Sequence, residues 1–351
     1  MARVSIHIVS WNSMRYLPQA LESIAAQTYR DFSVIVVDNA STDGSIEHVR
    51  DHYQGWATLR NANNRGFAVA HNQAVAFAHT LWQKSGETID DKLVLVTNPD
   101  ILLEPDFLEK LVAAVDAHPE AGSFACKLRK VVSVTRADEQ EEPKKTTLID
   151  STGLLIRKSR AVVERGAALE DGERYAQGVE VFGVSGALAL YRMSALDMAA
   201  VDGELFDEDF FAYKEDVDLA WRLRTLGIPC WYVPEAVAYH YRNAKGSERR
   251  SLATAVRERR EKSPLVNFWS TRNHWLMLVK NDTLGGVVLH GYRFFPYEIA
   301  KLAYLTFSEP RSLKAIPSAL ALTGKMLGKR KAIRAAAKAR GGAQSVRKWL
   351  G

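Results

Sequence analysis

Short apolar runs rich in Val and Ile alternate with amphipathic stretches along the first third of the chain. RVSIHIVSW (3–11) reads as a buried strand and LPQALESIAAQTY (17–29) as a helix with one apolar face. FSVIVVDNA (32–40) is a second strand, and STDGSIEHVRDHY (41–53) opens a helix with Ser, Thr and Asp capping chemistry. WATLRNANN (56–64) is a short strand running into a turn, and GFAVAHNQAVAFAHTLWQKS (66–85) is a helix. LVLV (93–96) is a further strand, interrupted by Thr97-Asn98-Pro99-Asp100, after which ILLEPDFLEKLVAAVDAH (101–118) resumes a helical rhythm. This β-α-β-α-β-α-β order predicts an α/β fold: a mostly parallel central sheet with helices on both faces. Such sheets place their ligands outside the carboxyl ends of the strands.

The pattern then changes. TRADEQEEPKKTT (135–147) is charged and reads as an exposed loop or insertion. Leu148 to Val184 suggests short strands and turns, and GVSGALALYR (183–192) returns to a buried strand. FFAYKEDVDLAWRLRTLG (210–227) predicts a helix stopped by Gly227, and IPCWYVPEAVAYHYR (228–242) is strand-like. From about 263 the spacing is helical and aromatic, and the last forty residues are rich in Ala, Lys and Arg.

Composition narrows the class. The 351 residues, 47% hydrophobic and 25% charged, suit one large or two ordinary soluble domains. Two cysteines, Cys126 and Cys230, make no disulfide framework and fit a reducing cytosol. No secretory signal or spanning apolar stretch is visible. The net charge of +6 hides an asymmetry: residues 311–351 hold eleven Lys or Arg and no acid, so residues 1–310 carry 6 − 11 = −5. A basic tail on a mildly acidic body suits nucleic acid, an anionic membrane, or a solvated helix.

Four places could carry chemistry. Asp38 and Asp100 each end a strand, where an acid can hold a ligand or simply shape a turn. In NNRGFAVAHN (63–72) a glycine before a helix permits close backbone approach, and the helix start favours phosphate. The stretch is neither a Walker A loop nor a GxGxxG fingerprint, which argues against a dinucleotide-dependent oxidoreductase. Glu215, Asp216 and Asp218 crowd one helix start, where the dipole favours acids and where neighbouring carboxylates raise one another's pKa, suiting one of them to act as a base. His240 follows a strand and gains a function if Asp100 binds a metal.

Taken in order, SIHIVSWN, VDNASTDGS, NRGFAVAHN, TNPD, GVSGALALYR, YKEDVDLAWRLRTLG and VPEAVAYH resemble a family 2 glycosyltransferase of GT-A, Rossmann-like fold, over roughly residues 3–280. The NxGFAxxxN form, the NPD form and TRNHWLMLVKN (271–281) resemble most the rhamnosyltransferase branch, which uses dTDP-L-rhamnose. The resemblance implies an inverting enzyme that moves a sugar from a nucleotide diphosphate to a hydroxyl of a bacterial surface glycan or lipid-linked saccharide. TNPD stands where the family carries its DxD-type metal motif, with Asn98 replacing the first acid and Asp100 keeping a carboxylate. Asp100 and His240 would hold Mg²⁺ or Mn²⁺. Val9, Trp11, Asn12, Asp38, Asn64, Gly66, Asn72, Asn98 and Asp100 would form the nucleotide-sugar side. Asp216 would be the general base and Glu215 its acceptor-orienting neighbour. Gly183, Ser185 and Gly186 would floor the acceptor side, or else serve tight strand packing. A UDP-sugar donor, or a non-catalytic sugar-nucleotide-binding scaffold, would keep the same fold.

The implied organisation is a catalytic domain over 1–262, with a nucleotide-sugar half (1–120) and an acceptor half (121–262), followed by C-terminal helices over 263–351. GYRFFPYEIAKLAYLTF (291–307) and the basic stretch from Lys325 to Arg340 together resemble an interfacial membrane anchor, which would place the protein peripherally on the inner face of the plasma membrane. A helix pair packed on the catalytic domain is the competing reading. No nucleic-acid-binding module accompanies the basic tail.

Overall fold

The structure is a computed structural model that describes residues 1–135, 141–241, 248, 256–257, 259–344 and 346–351, and the side chains of 133–143 are also left undescribed. The first half alternates as expected: β1 (Val4–Ser10), α1 (Leu17–Ala25), β2 (Phe32–Asp38), α2 (Ser45–His52), β3 (Ala57–Arg60), α3 (Gly66–Lys84) and β4 (Leu93–Thr97). These strands lie parallel in the order β4-β1-β2-β3. Ser10 pairs with Asp38 and Ile8 with Thr97, so the carboxyl ends of β1, β2 and β4 finish at one edge. Val36 and Leu95 pack on one face with Ile6 and Phe107, and Val37 and Val94 pack on the other with Ala74 and Trp82. Both faces are covered, which is why these strands read as continuous apolar runs rather than alternating ones.

The second half is mixed rather than parallel. It comprises β5 (Ile101–Leu103), α4 (Phe107–Ala117), β6 (Ser123–Thr135), β7 (Glu141–Ser151), β8 (Leu154–Ile156), β9 (Val162–Glu164), β10 (Val179–Val181), β11 (Leu188–Arg192), α5 (Met193–Ala199), α6 (Glu215–Thr225) and β12 (Cys230–His240). Strand β11 runs antiparallel between β4 and β6, and β12 follows β6 in parallel. The helical rhythm after Asp100 begins later than the sequence suggests. Ile101–Leu103 forms β5, paired with β12, and the helix starts at Phe107.

The charged stretch 135–147 also differs from its expectation as a loop. Residues 136–140 lie outside the described residues, but Glu141 onward belongs to β7, antiparallel to β6. Its backbone finds partners along an edge strand, where charged side chains are tolerated because one side of the ladder faces water.

Helices α7 (Pro264–Asn281), α8 (Leu284–Leu289), α9 (Gly291–Ser308) and α10 (Ala315–Ala339) complete the chain. They share a core with the second half: Leu154, Phe182 and Trp221 pack with Leu276 and Met277 of α7 and Met326 of α10. No helix among the described residues is long and apolar enough to cross a membrane.

Candidate active site

The donor edge is built from the ends of β1, β2 and β4. Asp38 is fully buried; both its oxygens accept the Ser41 N–H at 3.2 Å, and Arg60 Nε stands 3.6 Å from Oδ2. Its carboxylate therefore shapes the turn after β2. Asn12, in the left-handed region at φ 49°, donates its N–H to Ser41 Oγ, and its Oδ1 accepts the Thr42 N–H, both at 2.9 Å. The two strand ends are thus laced together, with Trp11 exposed at the tip and Val9 half-buried behind it. Asn64 Oδ1 accepts the Gly66 N–H at 2.9 Å.

Three expected site residues also make packing contacts within the chain. Gly66 has φ +79°, and a Cβ there would lie 2.5 Å from the Phe211 carbonyl oxygen. Its missing side chain makes room for the loop that enters α6. Both polar atoms of Asn72 are engaged by Phe206, donating to its carbonyl at 2.8 Å and accepting its N–H at 2.9 Å. A Cβ on Gly183 would lie 2.3 Å from Ala220 Cβ, so this glycine serves helix packing. Gly66 and Asn72 thus join the two halves, while Gly183 packs within the second.

At the end of β4, Asn98 donates its N–H to the Ala187 carbonyl at 2.9 Å. The Asp100 carbonyl accepts the Tyr241 N–H at 3.0 Å, which brings the end of β12 alongside. His240 Nε2 then lies 3.3 Å from Asp100 Oδ2, and Nδ1 lies 2.9 Å from Asp150 Oδ2. Burial alone would lower the imidazole, but hydrogen bonds to Asp100 and Asp150 outweigh it and raise the group to about 9. Asp100 Oδ1 is buried without a hydrogen-bond partner among the described residues. An orphaned carboxylate oxygen beside an imidazole, with a second carboxylate fixing the far ring nitrogen, fits a divalent cation. Among the described residues no three His, Cys, Asp or Glu side chains form a metal cage by themselves, so further donors would come from a ligand. Asp150 escaped the sequence reading because it lies on β7, next to the stretch read as loop.

A second acidic centre lies at the start of α6. The helix begins at Glu215, not near 210, because Phe211, Tyr213 and Lys214 all have left-handed φ, at 63°, 73° and 74°. Such residues cost about 1–3 kcal/mol each and persist only where neighbours impose them. Asn273 of α7 imposes them here: its Nδ2 donates to the carbonyls of Phe210, Ala212 and Tyr213 at 2.7, 2.9 and 2.8 Å. Arg272 adds a hydrogen bond to the Asp209 carbonyl.

The loop delivers Glu215 and Asp216. Burial, helped by the Asp216 charge, pushes the Glu215 carboxyl up to about 8, and its Oε2 is buried without a partner among the described residues. Asp216 is half-buried; Oδ2 accepts the Gly186 N–H at 3.0 Å and Oδ1 the Val217 N–H at 2.7 Å. Ser185 donates to Glu164 Oε1 at 3.0 Å. Gly186 thus binds Asp216 while its neighbour Ala187 binds Asn98, so one short segment couples the two acidic centres. The third acid, Asp218, is fully buried and structural, paired with Arg222 at 2.9 Å and Lys280 at 2.8 Å.

The basic tail is only partly solvated. Lys329 of α10 is 2% exposed and pairs with Glu204, Asp207 and Asp209 at 2.9, 2.6 and 2.9 Å. Lys325 pairs with Asp209 at 2.8 Å. At these two positions the expected membrane-facing charge is a clamp on the catalytic domain.

A parallel first half joined to a mixed second half, flanked by helices and followed by a helical C-terminal region, is the GT-A fold of glycosyltransferases. Residues 5–198, more than half of the chain, match the family model Glycosyl transferase family 2, and the chain belongs to that family. It is 30% identical over 240 residues to N-acetylglucosaminyl-diphospho-decaprenol L-rhamnosyltransferase of Mycobacterium tuberculosis, covering 67% of this chain and 74% of that one. It is 29% identical over 239 residues to rhamnosyltransferase WbbL of Escherichia coli K12, covering 68% and 83%. The crystal structure of Staphylococcus aureus TarS 1–349 is similar in fold, with TM-score 0.51 at 16% identity over 97% of this chain and 88% of that one.

Proposed function

We propose that the chain transfers L-rhamnose from dTDP-L-rhamnose, with inversion, to a hydroxyl of a lipid-linked saccharide destined for a bacterial surface glycan. The rhamnosyl group is supported by the names of the two relatives aligned over two thirds of the chain. The observation that carries the chemistry is the accessible Asp216, anchored through Gly186 on the same segment that holds the metal-motif strand end.

Inversion needs one base and no enzyme nucleophile. Asp216 is that base: it is half-buried, where an acceptor hydroxyl can reach it, and two backbone N–H groups fix its direction. Glu215, buried and held largely protonated near neutral pH, orients the acceptor side without competing for the proton. Asp100 and His240 would hold Mg²⁺ or Mn²⁺, which when bound supplies positive charge for the departing diphosphate. The strand ends at Val9 to Asn12, Asp38 to Ser41 and Asn64 to Gly66 shape the nucleotide pocket. Residues 1–120 then serve the donor, 121–262 the acceptor, and 263–351 brace the acceptor side.

The C-terminal helices also meet a membrane surface in this reading. Leu284 and Val288 of α8 and Phe295, Ile299 and Phe307 of α9 are exposed, with Arg293, Arg311 and Lys314 exposed nearby. Apolar residues flanked by cations suit an anionic bilayer interface.

The test is a thermal-shift panel of dTDP-rhamnose, UDP-sugars and GDP-mannose, with and without Mn²⁺, followed by transfer assays of Asp216→Asn. Ligands that bind the native state raise the melting temperature by mass action. A metal-dependent shift with dTDP-rhamnose and abolished transfer in D216N are expected. A larger shift with a UDP-sugar would replace the donor, and unchanged transfer in D216N would remove Asp216 as the base.

A further inference from the structure

A cavity of about 280 Å³ lies between the acceptor half and the C-terminal helices, and no step of the transfer uses it. Its lining includes Arg157 from the turn after β8, Lys214 at the start of α6, Arg259, and Lys301 of α9, with the rings of Tyr297 and Tyr304. None of the described lining side chains is acidic. Lys214, which lines the cavity, directly precedes the Glu215–Asp216 pair in the chain.

The cations are gathered closely enough to repel one another. Arg259 is paired with Glu309 at 2.8 Å, and Lys301 lies 3.6 Å from Glu298, which also accepts from His274 and Trp275 at 2.8 Å. Burial lowers the Lys301 ammonium to about 8; Glu298 opposes the shift, and Arg259 and Lys214 add to it. A half-buried pocket of Arg and Lys with hydroxyl-bearing rings matches phosphate oxygens, which take charge-assisted hydrogen bonds.

Helix α9 supplies the second observation. Its inner positions Tyr297, Lys301 and Tyr304 face the cavity, while Phe295, Ile299 and Leu302 are exposed on the other side. One helix therefore separates a phosphate-binding chemistry from an apolar surface. We propose that this cavity binds the diphosphate of a lipid-linked acceptor and sets its sugar against Asp216. The proposal rests on the transferase reading above and names the acceptor's chemical class. The lipid chain runs along the apolar side of α9, and the diphosphate enters between Arg157 and Lys301.

Calorimetry on the full chain tests it. Farnesyl diphosphate and inorganic pyrophosphate are titrated separately into protein saturated with dTDP, so that the donor edge is filled. Farnesyl diphosphate should bind about tenfold or more tightly than pyrophosphate, and Arg157→Gln and Lys301→Gln should each weaken both probes by about tenfold or more. Arg157 is the safer substitution because it is only half-buried, and thermal melts establish that each variant is folded. No binding by the wild type, or unchanged affinity in folded R157Q, overturns the proposal. Equal affinity for the two probes would make the cavity a free-anion site, and displacement of farnesyl diphosphate by phosphatidylglycerol vesicles would make it a headgroup site; either result overturns the acceptor assignment. Diphosphate binding without rhamnosyl transfer would sink the donor reading and leave the pocket standing. Rhamnosyl transfer with folded pocket variants unaffected would do the reverse.

Discussion

The turns after β2 and β3 and the loop that enters α6 are held in shape by opposite means. At the turns the contacts are local: Asp38 binds Ser41 three residues on, and Asn64 binds Gly66 two residues on. Around the start of α6 they come from far along the chain. Asn273 clamps Phe210 across 63 positions, Lys280 pairs with Asp218 across 62, and Lys329 with Asp207 across 122. A turn after a strand can be set by its own short polar residues. A loop with several left-handed residues cannot, and it needs an outside element to impose its shape. The C-terminal helices thus brace the loop that carries Glu215 and Asp216, although they lie beyond the matched family region.

Perturbations should separate the halves, and the largest effect is expected at the base. Asp216→Asn should lower kcat by roughly 10²–10⁴ while dTDP-rhamnose still raises the melting temperature. Loss of the donor-induced shift in that variant would show that the halves are not separable. Lys329→Met leaves Asp207 and its neighbours short of a buried partner and should cost about 3–5 kcal/mol in a denaturant titration. A cost below 1 kcal/mol would mean the ionic clamp contributes little.

Asn273→Ala frees three carbonyls, and kcat should drop about tenfold or more with the donor KM unchanged. A change confined to the donor KM would contradict the division. Asp150→Asn is the donor-edge counterpart. By loosening His240 it should weaken Mn²⁺ about 10–100-fold, read from the metal dependence of the donor-induced thermal shift.

The smallest effect is a pH dependence. The folded Glu215 carboxyl, at about 8 against an ordinary 4.5, holds its proton more tightly than the unfolded chain does. Its contribution to stability is therefore full below about 4.5 and falls away as pH rises through about 8. Melting temperatures of wild type and Glu215→Gln should diverge between pH 5 and pH 9, with the wild type losing more. Parallel curves would show that Glu215 does not carry the shift.

How much was legible follows the same division. The strands and helices up to β4 were readable because both faces of a parallel sheet are buried, which leaves continuous apolar runs between capped helices. Asp100, Asp216 and His240 stood out at strand ends and a helix start, and the structure brings Asp100 against His240. Reading Gly66 and Asn72 as ligand contacts did not anticipate their partners, Phe211 and Phe206, because nothing local to residues 63–72 points to a loop more than a hundred positions away. The strand at 141–151 was hidden by its charges, since an edge strand needs no apolar pattern.

By itself the sequence determined the α/β order, the strand ends that share one edge, and the acids that stand at those ends and at the start of α6. Periodicity and turn composition encode such features within a few residues of one another. Tertiary structure alone decided which acids stay accessible and which brace. Asp216 is accessible and Asp218 sealed, although two residues separate them on one helix, because Lys280 and Arg222 close over one face and Gly186 leaves room at the other. It also decided that Lys329 is a buried partner rather than a solvated charge, because the environment of a charge is fixed by what packs over it.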